Sequence, residues 1–432
     1  MTFSVSQLAQ VLATVSRLDS PSRYWVGFSG GLDSTVLLHA LWRLQPPQEL
    51  VAVHVNHRLH PDADEWAGHC RQVCRDWNVP LQVVEVNAKA RRGESPEAAA
   101  RQARYAAFQD LLGHGDYLLT AQHQDDQAET LLLQLLRGGG PAGLAAMPLV
   151  GRFAAGYLAR PLLPFDRRAL RVYAEGEDLK WIDDSSNAAL EFDRNYLRHE
   201  ILPVLKTRWP GYPKTLARVA RHQAEAAALL SEMAENDFAT VQGTDPAALS
   251  VSRLREFSGP RQRNAVRHWL GKQALDSPTE AVLNQIIALL DAAPDRCPAV
   301  VWRHTEVRRY RDDIFFLRRV LENPVSPTYL WAPGTELTLP ELGLTLNRRE
   351  LEKQGLVLPD TDLQVRFRRG GERIVLPGRR HSHSLKKLLQ QRGVPPWLRQ
   401  RLPLIYAGER LLAVLGLTPP IVAGGGVSRS GT

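Results

Sequence analysis

The chain has 432 residues, 44% of them hydrophobic, enough for two or three separate cores. No 18-residue apolar run occurs and no basic lead precedes an apolar stretch, so neither a membrane span nor a signal peptide is expected; the three cysteines (Cys70, Cys74, Cys297) lack a CxxC pair, which argues against a disulfide framework or zinc site and fits a reducing cytoplasm. The net charge of +8 is concentrated in residues 366–401, where eleven Lys or Arg stand against Glu372 alone; this local +10 leaves about −2 elsewhere and points to an anionic partner such as nucleic acid.

Taken in order, Phe3, Leu8, Val11, Leu12, Val15 and Leu18 recur at helical spacing and predict a leading helix over 1–18. Residues 24–28 are a short apolar run suited to a buried strand. SGGLDS (29–34) interrupts it, and 35–41 reads as a helix. A strand, a glycine turn and a helix N-terminus make an anion site. Gly30 and Gly31 can take positive φ and let backbone amides approach a ligand. Ser29 and Ser34 offer hydroxyls, and Asp33, in the first helical turn, is a candidate Mg2+ ligand. No GxxxxGK(S/T) loop is present. A tight turn by itself needs glycines but not the surrounding Ser, Asp and Ser.

Apolar strands over 50–55, 81–86 and 117–120 alternate with helical patterns over 61–77 and 98–112. This predicts a parallel sheet covered on both faces, with ligands at the carboxyl ends of its strands. His54 and His57 follow the second strand, where strand-end hydrogen bonding and a site role both stay open. Asp125, Asp126 and Glu129 open a helix after the fourth strand, and Asp126 and Glu129 can share one face. The helix dipole would account for one or two of these acids.

Further on, Trp209-Pro210-Gly211-Tyr212-Pro213 reads as a linker and 215–238 as a long Ala-rich helix. Ser277-Pro278-Thr279-Glu280 has a capping-box pattern with Pro in the first helical position, and 307–317 a hairpin around Arg311-Asp312-Asp313. A second boundary falls at 323–327. Short strands follow at 337–339, 344–346 and 411–417, and the basic stretch, with Lys386-Lys387 opening a helix and Trp397 nearby, reads as an RNA surface. The expected fold class is α/β. A Rossmann-like parallel-sheet domain (1–212) precedes a mainly helical domain (213–322) and a small basic α+β domain (323–432).

SGGLDS resembles the PP-loop of the ATP-pyrophosphatases, which cleave ATP between its α and β phosphates to adenylate a carbonyl oxygen. With HVNH (54–57), AARQARY (99–105), TAQHQDDQAET (120–130), RGGGPAGLAAM (137–147), RPLLPF (160–165), WIDDSSN (181–187), RNYLRHEILP (194–203) and VPPWLRQRLPLIY (394–406), nearly the whole chain resembles the tRNA(Ile)-lysidine synthetase family. It departs where that family's usual His-His precedes the acidic pair; here the residues are Gln122-His123.

The resemblance implies a ligase that adenylates the wobble cytidine of the CAU-anticodon tRNA(Ile) with ATP. Free L-lysine then displaces AMP, and the tRNA comes to read AUA rather than AUG. By the same resemblance Ser29, Gly30, Gly31, Leu32, Asp33 and Ser34 bind ATP, with Asp33 near the metal. Asp126 and Glu129 hold Mg2+ or the lysine ammonium. Arg104 (or Arg101) and Arg194 clamp phosphate or the adenylated base. The expected catalytic set is Asp33, Arg104, Asp126, Glu129 and Arg194, with Asp33 and Asp126 on the metal. No membrane partner is expected, and a homodimer is kept beside a monomer. The runner-up readings are a tRNA thiolase, for which Cys70 and Cys74 are poorly placed, and a nonenzymatic RNA-binding protein.

Overall fold

The computed structural model of the chain describes residues 2–16, 21–58, 60–89, 95–183, 190–243, 245, 247–293, 297–319, 327–353, 355–417 and 420–424. The chain forms two compact units, 1–233 and 234–432.

The first unit carries helices α1 (Val5–Val15), α2 (Leu32–Leu44), α3 (Ala63–Asp76), α4 (Pro96–Leu111), α5 (Gln124–Leu136), α6 (Pro141–Leu144), α7 (Arg167–Gly176), α8 (Asp193–Tyr196) and α9 (Leu202–Arg208), and leads into α10 (Tyr212–Val241). Its strands are β1 (Arg23–Gly27), β2 (Glu49–Asn56), β3 (Leu81–Glu85), β4 (Tyr117–Leu119), β5 (Val150–Phe153) and β6 (Gly156–Ala159). They form one sheet in the order β3-β2-β1-β4-β6-β5, parallel except for β5.

The apolar run of β1 is continuous because both sheet faces are covered. Tyr24, Val26 and Phe28 pack with Leu8, Val36, Leu37 and Leu170 from α1, α2 and α7. Trp25 points the other way, into a cluster with Phe108 of α4 and Leu118. Burying each such side chain contributes about 1.5–3 kcal/mol. Strand order reverses between β1 and β4, which are neighbours although far apart in sequence. In open α/β sheets that switch point is where a ligand crevice forms.

Local chemistry sets the helix starts. Ser4 and Ser95 accept backbone N–H bonds at the starts of α1 and α4. The linker expected at 209–213 is shorter than its sequence suggests. Trp209 to Gly211 break the helix, whereas Tyr212 and Pro213 already lie in the first turn of α10, where proline is tolerated.

In the second unit, β7 (Ala248–Ser250), β8 (Ala299–Trp302), β9 (Thr305–Tyr310) and β10 (Asp313–Arg318) make an antiparallel sheet in the order β7-β10-β9-β8. Helices α11 (Val251–Arg255), α12 (Gly259–Lys272) and α13 (Glu280–Ala288) pack on it around Leu249, Trp269, Leu283 and Ile314. The middle region is therefore helical as expected, with a sheet added. The β9–β10 hairpin turns where expected, because Asp312 accepts from the Ser250 and Ser252 hydroxyls (2.7 and 2.8 Å). Thr279 rather than Ser277 caps α13, accepting from the Val282 amide, so Pro278 lies outside the helix.

Residues 327–424 add a five-stranded antiparallel sheet, β11 (Thr328–Trp331), β14 (Leu363–Phe367), β17 (Pro403–Ala407), β18 (Arg410–Val414) and β19 (Ile421–Val422), in that order. Two hairpins, β12 (Glu336–Leu339) with β13 (Leu344–Asn347) and β15 (Arg373–Val375) with β16 (Ser382–Ser384), accompany helices α14 (Arg348–Lys353), α15 (Leu385–Gln391) and α16 (Pro396–Arg399).

Candidate active site

β1 ends at the switch point and passes directly into the SGGLDS loop. Gly30 takes φ +82°, and its carbonyl accepts from the Ile182 amide (2.9 Å). A Cβ there would lie 3.0 Å from Ile182 Cδ1 and 3.2 Å from Cys70 Sγ. The two serines knit the loop to itself: their Oγ atoms are 3.0 Å apart, and Ser34 Oγ donates to the Gly31 carbonyl (3.0 Å). Gly31 caps α2 without a side-chain bond, so an anion can take the first amides of that helix. Leu32 is buried in the core and anchors the loop from below; only its backbone can face a nucleotide. Gly30→Ala is expected to cost roughly 1–3 kcal/mol from the left-handed backbone alone. ATP affinity, measured by titration calorimetry, should fall about tenfold or more.

Beyond β4, His123 caps α5, and with Asp126 it closes a capping box: the His123 amide donates to Asp126 Oδ2 (3.0 Å). Its ring reaches back to the loop, with Nε2 3.5 Å from Asp33 Oδ2 and 3.4 Å from Asp126 Oδ2. Burial alone would lower the His123 pKa. The charge of Asp126, followed by Asp33 and Asp125, outweighs it and raises the pKa to about 9. The charged ring has no lone pair for the Asp126 amide 3.4 Å from Nδ1, so that contact belongs to the neutral form. Burial would raise Asp33, but the hydrogen bond and charge of His123, with Arg167 and Arg198, hold it below the usual carboxylate range. Asp125 ties α5 to α7, because its Oδ2 accepts from the Arg167 amide at the start of α7 (2.8 Å).

A residue missed in the sequence completes the cluster. Arg198 forks onto fully buried Glu129, Nε to Oε1 and Nη2 to Oε2, both at 2.8 Å, and Nη2 also reaches Asp126 Oδ1 (3.2 Å). Burial, together with the nearby Asp126 charge, pushes Glu129 upward, and Arg198 opposes that push. Arg194, the expected clamp, is 3.4 Å from Glu129 Oε2 and donates to Thr130 Oγ1 (2.7 Å). Arg198 sits in a π-helical turn, Leu197–Ile201, between α8 and α9. Its signal was present: it lies four residues after Arg194, on the same helical face. His123, Asp125, Glu129, Arg167, Arg198 and Lys206 line a cleft of about 250 Å³, closed on another side by Leu202, Pro203 and Tyr212.

Residues 2–205 match the PP-loop domain family, 249–315 the TilS substrate binding domain and 363–419 the TilS substrate C-terminal domain. A tRNA(Ile)-lysidine synthase of Coxiella burnetii is 41% identical over 413 residues, spanning 94% of this chain and 91% of that protein. One from Pseudomonas syringae pv. tomato is 44% identical over 423 residues, covering 95% and 92% respectively. This chain belongs to the tRNA(Ile)-lysidine synthase family.

Arg104 donates to His57 Nε2 (3.3 Å) at the end of β2, and burial, with Arg104 second, drives the His57 pKa down to about 4. Arg101 instead lies over the Tyr105 ring at 5.0 Å. His54 bonds the Phe28 carbonyl (2.9 Å), tying β2 to the strand that carries the loop. Asp184 and Asn187 of WIDDSSN lie outside the described residues. Cys70 and Cys74 are buried, and burial pushes both thiols up to about 12, so neither suits a thiolation nucleophile. A disulfide reagent at neutral pH is expected to titrate only Cys297 rapidly in the native protein and all three cysteines after denaturation.

The basic stretch is less uniform than its sequence suggests. Arg369, Arg373, Arg379, Arg380, Lys386, Lys387, Arg392 and Arg401 are exposed. Arg366 stacks on Tyr406 (3.8 Å), Arg368 pairs with Glu372 (3.1 Å), and buried Arg399 donates to Tyr310 Oη (3.0 Å). Trp397 packs edge-on against Phe315 (5.4 Å) and is core rather than RNA platform.

Proposed function

We propose that the cleft beside the SGGLDS loop runs both halves of lysidine synthesis. The chain is an ATP-dependent ligase that forms lysidine on tRNA(Ile), with ATP as co-substrate. In the first half, the position-2 oxygen of the cytidine attacks the α-phosphorus and pyrophosphate leaves. In the second, the ε-amine of free L-lysine attacks C2 and AMP departs. The modified base in the CAU anticodon then pairs with AUA instead of AUG.

The observation that carries this reading is the convergence of Asp33 and Asp126 on one imidazole beside the glycine turn. The loop amides and the start of α2 take the phosphates. Asp33 Oδ1 is buried without a hydrogen-bond partner, which suits a cation. No group of three or more His, Cys, Asp or Glu placed to hold a metal occurs among the described residues. Two carboxylates are nonetheless enough for Mg2+, which takes its other ligands from water and phosphate. Asp33 and Asp126 would hold it, and once bound it would neutralise charge on the polyphosphate. Glu129 fixes Arg198 at the cleft wall, with Arg194 behind it at 3.4 Å from the same carboxylate, where their charge can offset that of the adenylate. Arg104, beside His57, is assigned to the nucleotide side.

We assign residues 1–212 to catalysis, 213–322 to linking and RNA contact, and 323–432 to RNA selection. No described helix is long and apolar enough to cross a membrane, and we place the reaction in the cytoplasm with its tRNA. A homodimer is kept beside a monomer and is read by light scattering. tRNA affinity should fall with salt at a log–log slope of roughly −0.7 to −0.9 per phosphate contacted, or about −4 to −5 for six contacts. A filter-binding series checks it, and a flat response would mean that the basic surface does not bind RNA. Incubation with ATP, lysine and tRNA(Ile), followed by mass analysis of the wobble nucleoside, tests the function itself. A lysine adduct is expected; sulfur substitution or an unmodified base would overturn it.

A further inference from the structure

Around the junction of α9 and α10 the chain presents a second basic, aromatic surface, which shares Lys206 and Tyr212 with the cleft but lies outside the Asp33, His123, Asp126 and Glu129 cluster and the C-terminal basic stretch. From Ile201 to Ala224 it has five Lys or Arg (Lys206, Arg208, Lys214, Arg218, Arg221) and no acid. Within this run Trp209 is 60% exposed, a large apolar surface to leave in water. It lies in the chain between Lys206 and Tyr212, both of which line the catalytic cleft. Its backbone is held at both ends: the Trp209 amide donates to the Leu205 carbonyl (2.8 Å), and the Tyr212 amide donates to the Trp209 carbonyl (3.0 Å). The backbone at Trp209 is thus fixed at a corner, next in the chain to Arg208 and three residues from Lys206 and Tyr212, which line the cleft.

A base drawn out of a loop into a pocket leaves its neighbours without a stacking partner. An exposed aromatic next to phosphate-binding cations is the usual replacement, and it tolerates any base because every base has a π-face. We propose that Trp209 is a stacking platform for an unpaired base flanking the one taken into the cleft, with Lys206 and Arg208 on the adjoining phosphates. Trp209 is then a positioning residue for the RNA and takes no part in the chemistry. This rests on the tRNA reading above.

The test uses the full chain and a fluorescently labelled anticodon stem-loop of tRNA(Ile). Trp209→Ala should weaken stem-loop binding about tenfold and raise KM for tRNA with little change in kcat, while Trp209→Phe retains most affinity. Binding of ATP and the melting temperature should stay as in the unsubstituted protein, since the ring is exposed. The stem-loop should also quench a fraction of tryptophan fluorescence that the Phe variant lacks. Unchanged stem-loop affinity in Trp209→Ala would overturn the proposal. So would loss of self-association at unchanged RNA affinity, which would give this face to a second copy of the chain. Binding by the unsubstituted protein without a lysine adduct would count against the catalytic reading alone.

Discussion

Asp126→Asn is expected to lower the rate of lysidine formation by about 10²-fold or more, the scale of losing one preorganised charge partner in a transition state. Asparagine Oδ1 can still accept from the His123 amide, so that bond and the start of α5 should survive. What goes is a negative charge that meets both His123 and Arg198. The fall should therefore appear in kcat for pyrophosphate release, with the melting temperature little changed. Near-normal turnover in the variant would exclude Asp126 from the reacting groups. A loss of folding instead of rate would recast it as a helix cap.

Arg198→Ala should damage both stability and turnover. It strands Glu129, 1% exposed, with only Arg194 at 3.4 Å to answer its charge. Breaking a buried pair by removing one partner costs roughly 3–5 kcal/mol. For a unit of this size that lowers the first melting transition by about ten degrees. Arg198→Lys keeps the charge but not the fork, and should recover only part of the loss. The combined Glu129→Gln, Arg198→Ala protein separates the two effects. Removing the orphaned charge should restore most of the melting temperature, while lysidine formation stays low. If the double variant melted no higher than Arg198→Ala, the stranded carboxylate would not be the cause.

The features legible in the residues are those made by neighbours in the chain. The apolar run of β1, the glycine turn and the amides of α2 are contiguous, so period and turn chemistry reveal them. The acids at the start of α5 were visible for the same reason. The role of His123 was not. It joins Asp33 to Asp126 across 93 positions of sequence, and the lateral pairing of β1 with β4 brings them together. Arg194 and Arg198, four residues apart, look alike in the sequence; both reach Glu129, and only the fold decides that Arg198 is the one that forks onto it. Arg399 and Trp397 looked like part of an RNA surface from charge and composition, yet both are packed against Tyr310.

Residue order alone therefore marked the candidate chemistry: a glycine turn that leads into a helix N-terminus, carboxylates at a helix start, and a local excess of cations. Folding settled which charge meets which. Ion pairs and hydrogen bonds act over a few ångströms, and a doubly wound sheet decides at its switch point which distant segments come that close. The partners of Asp33, Asp126 and Glu129 follow from that reversal of strand order, which no short stretch of the chain encodes.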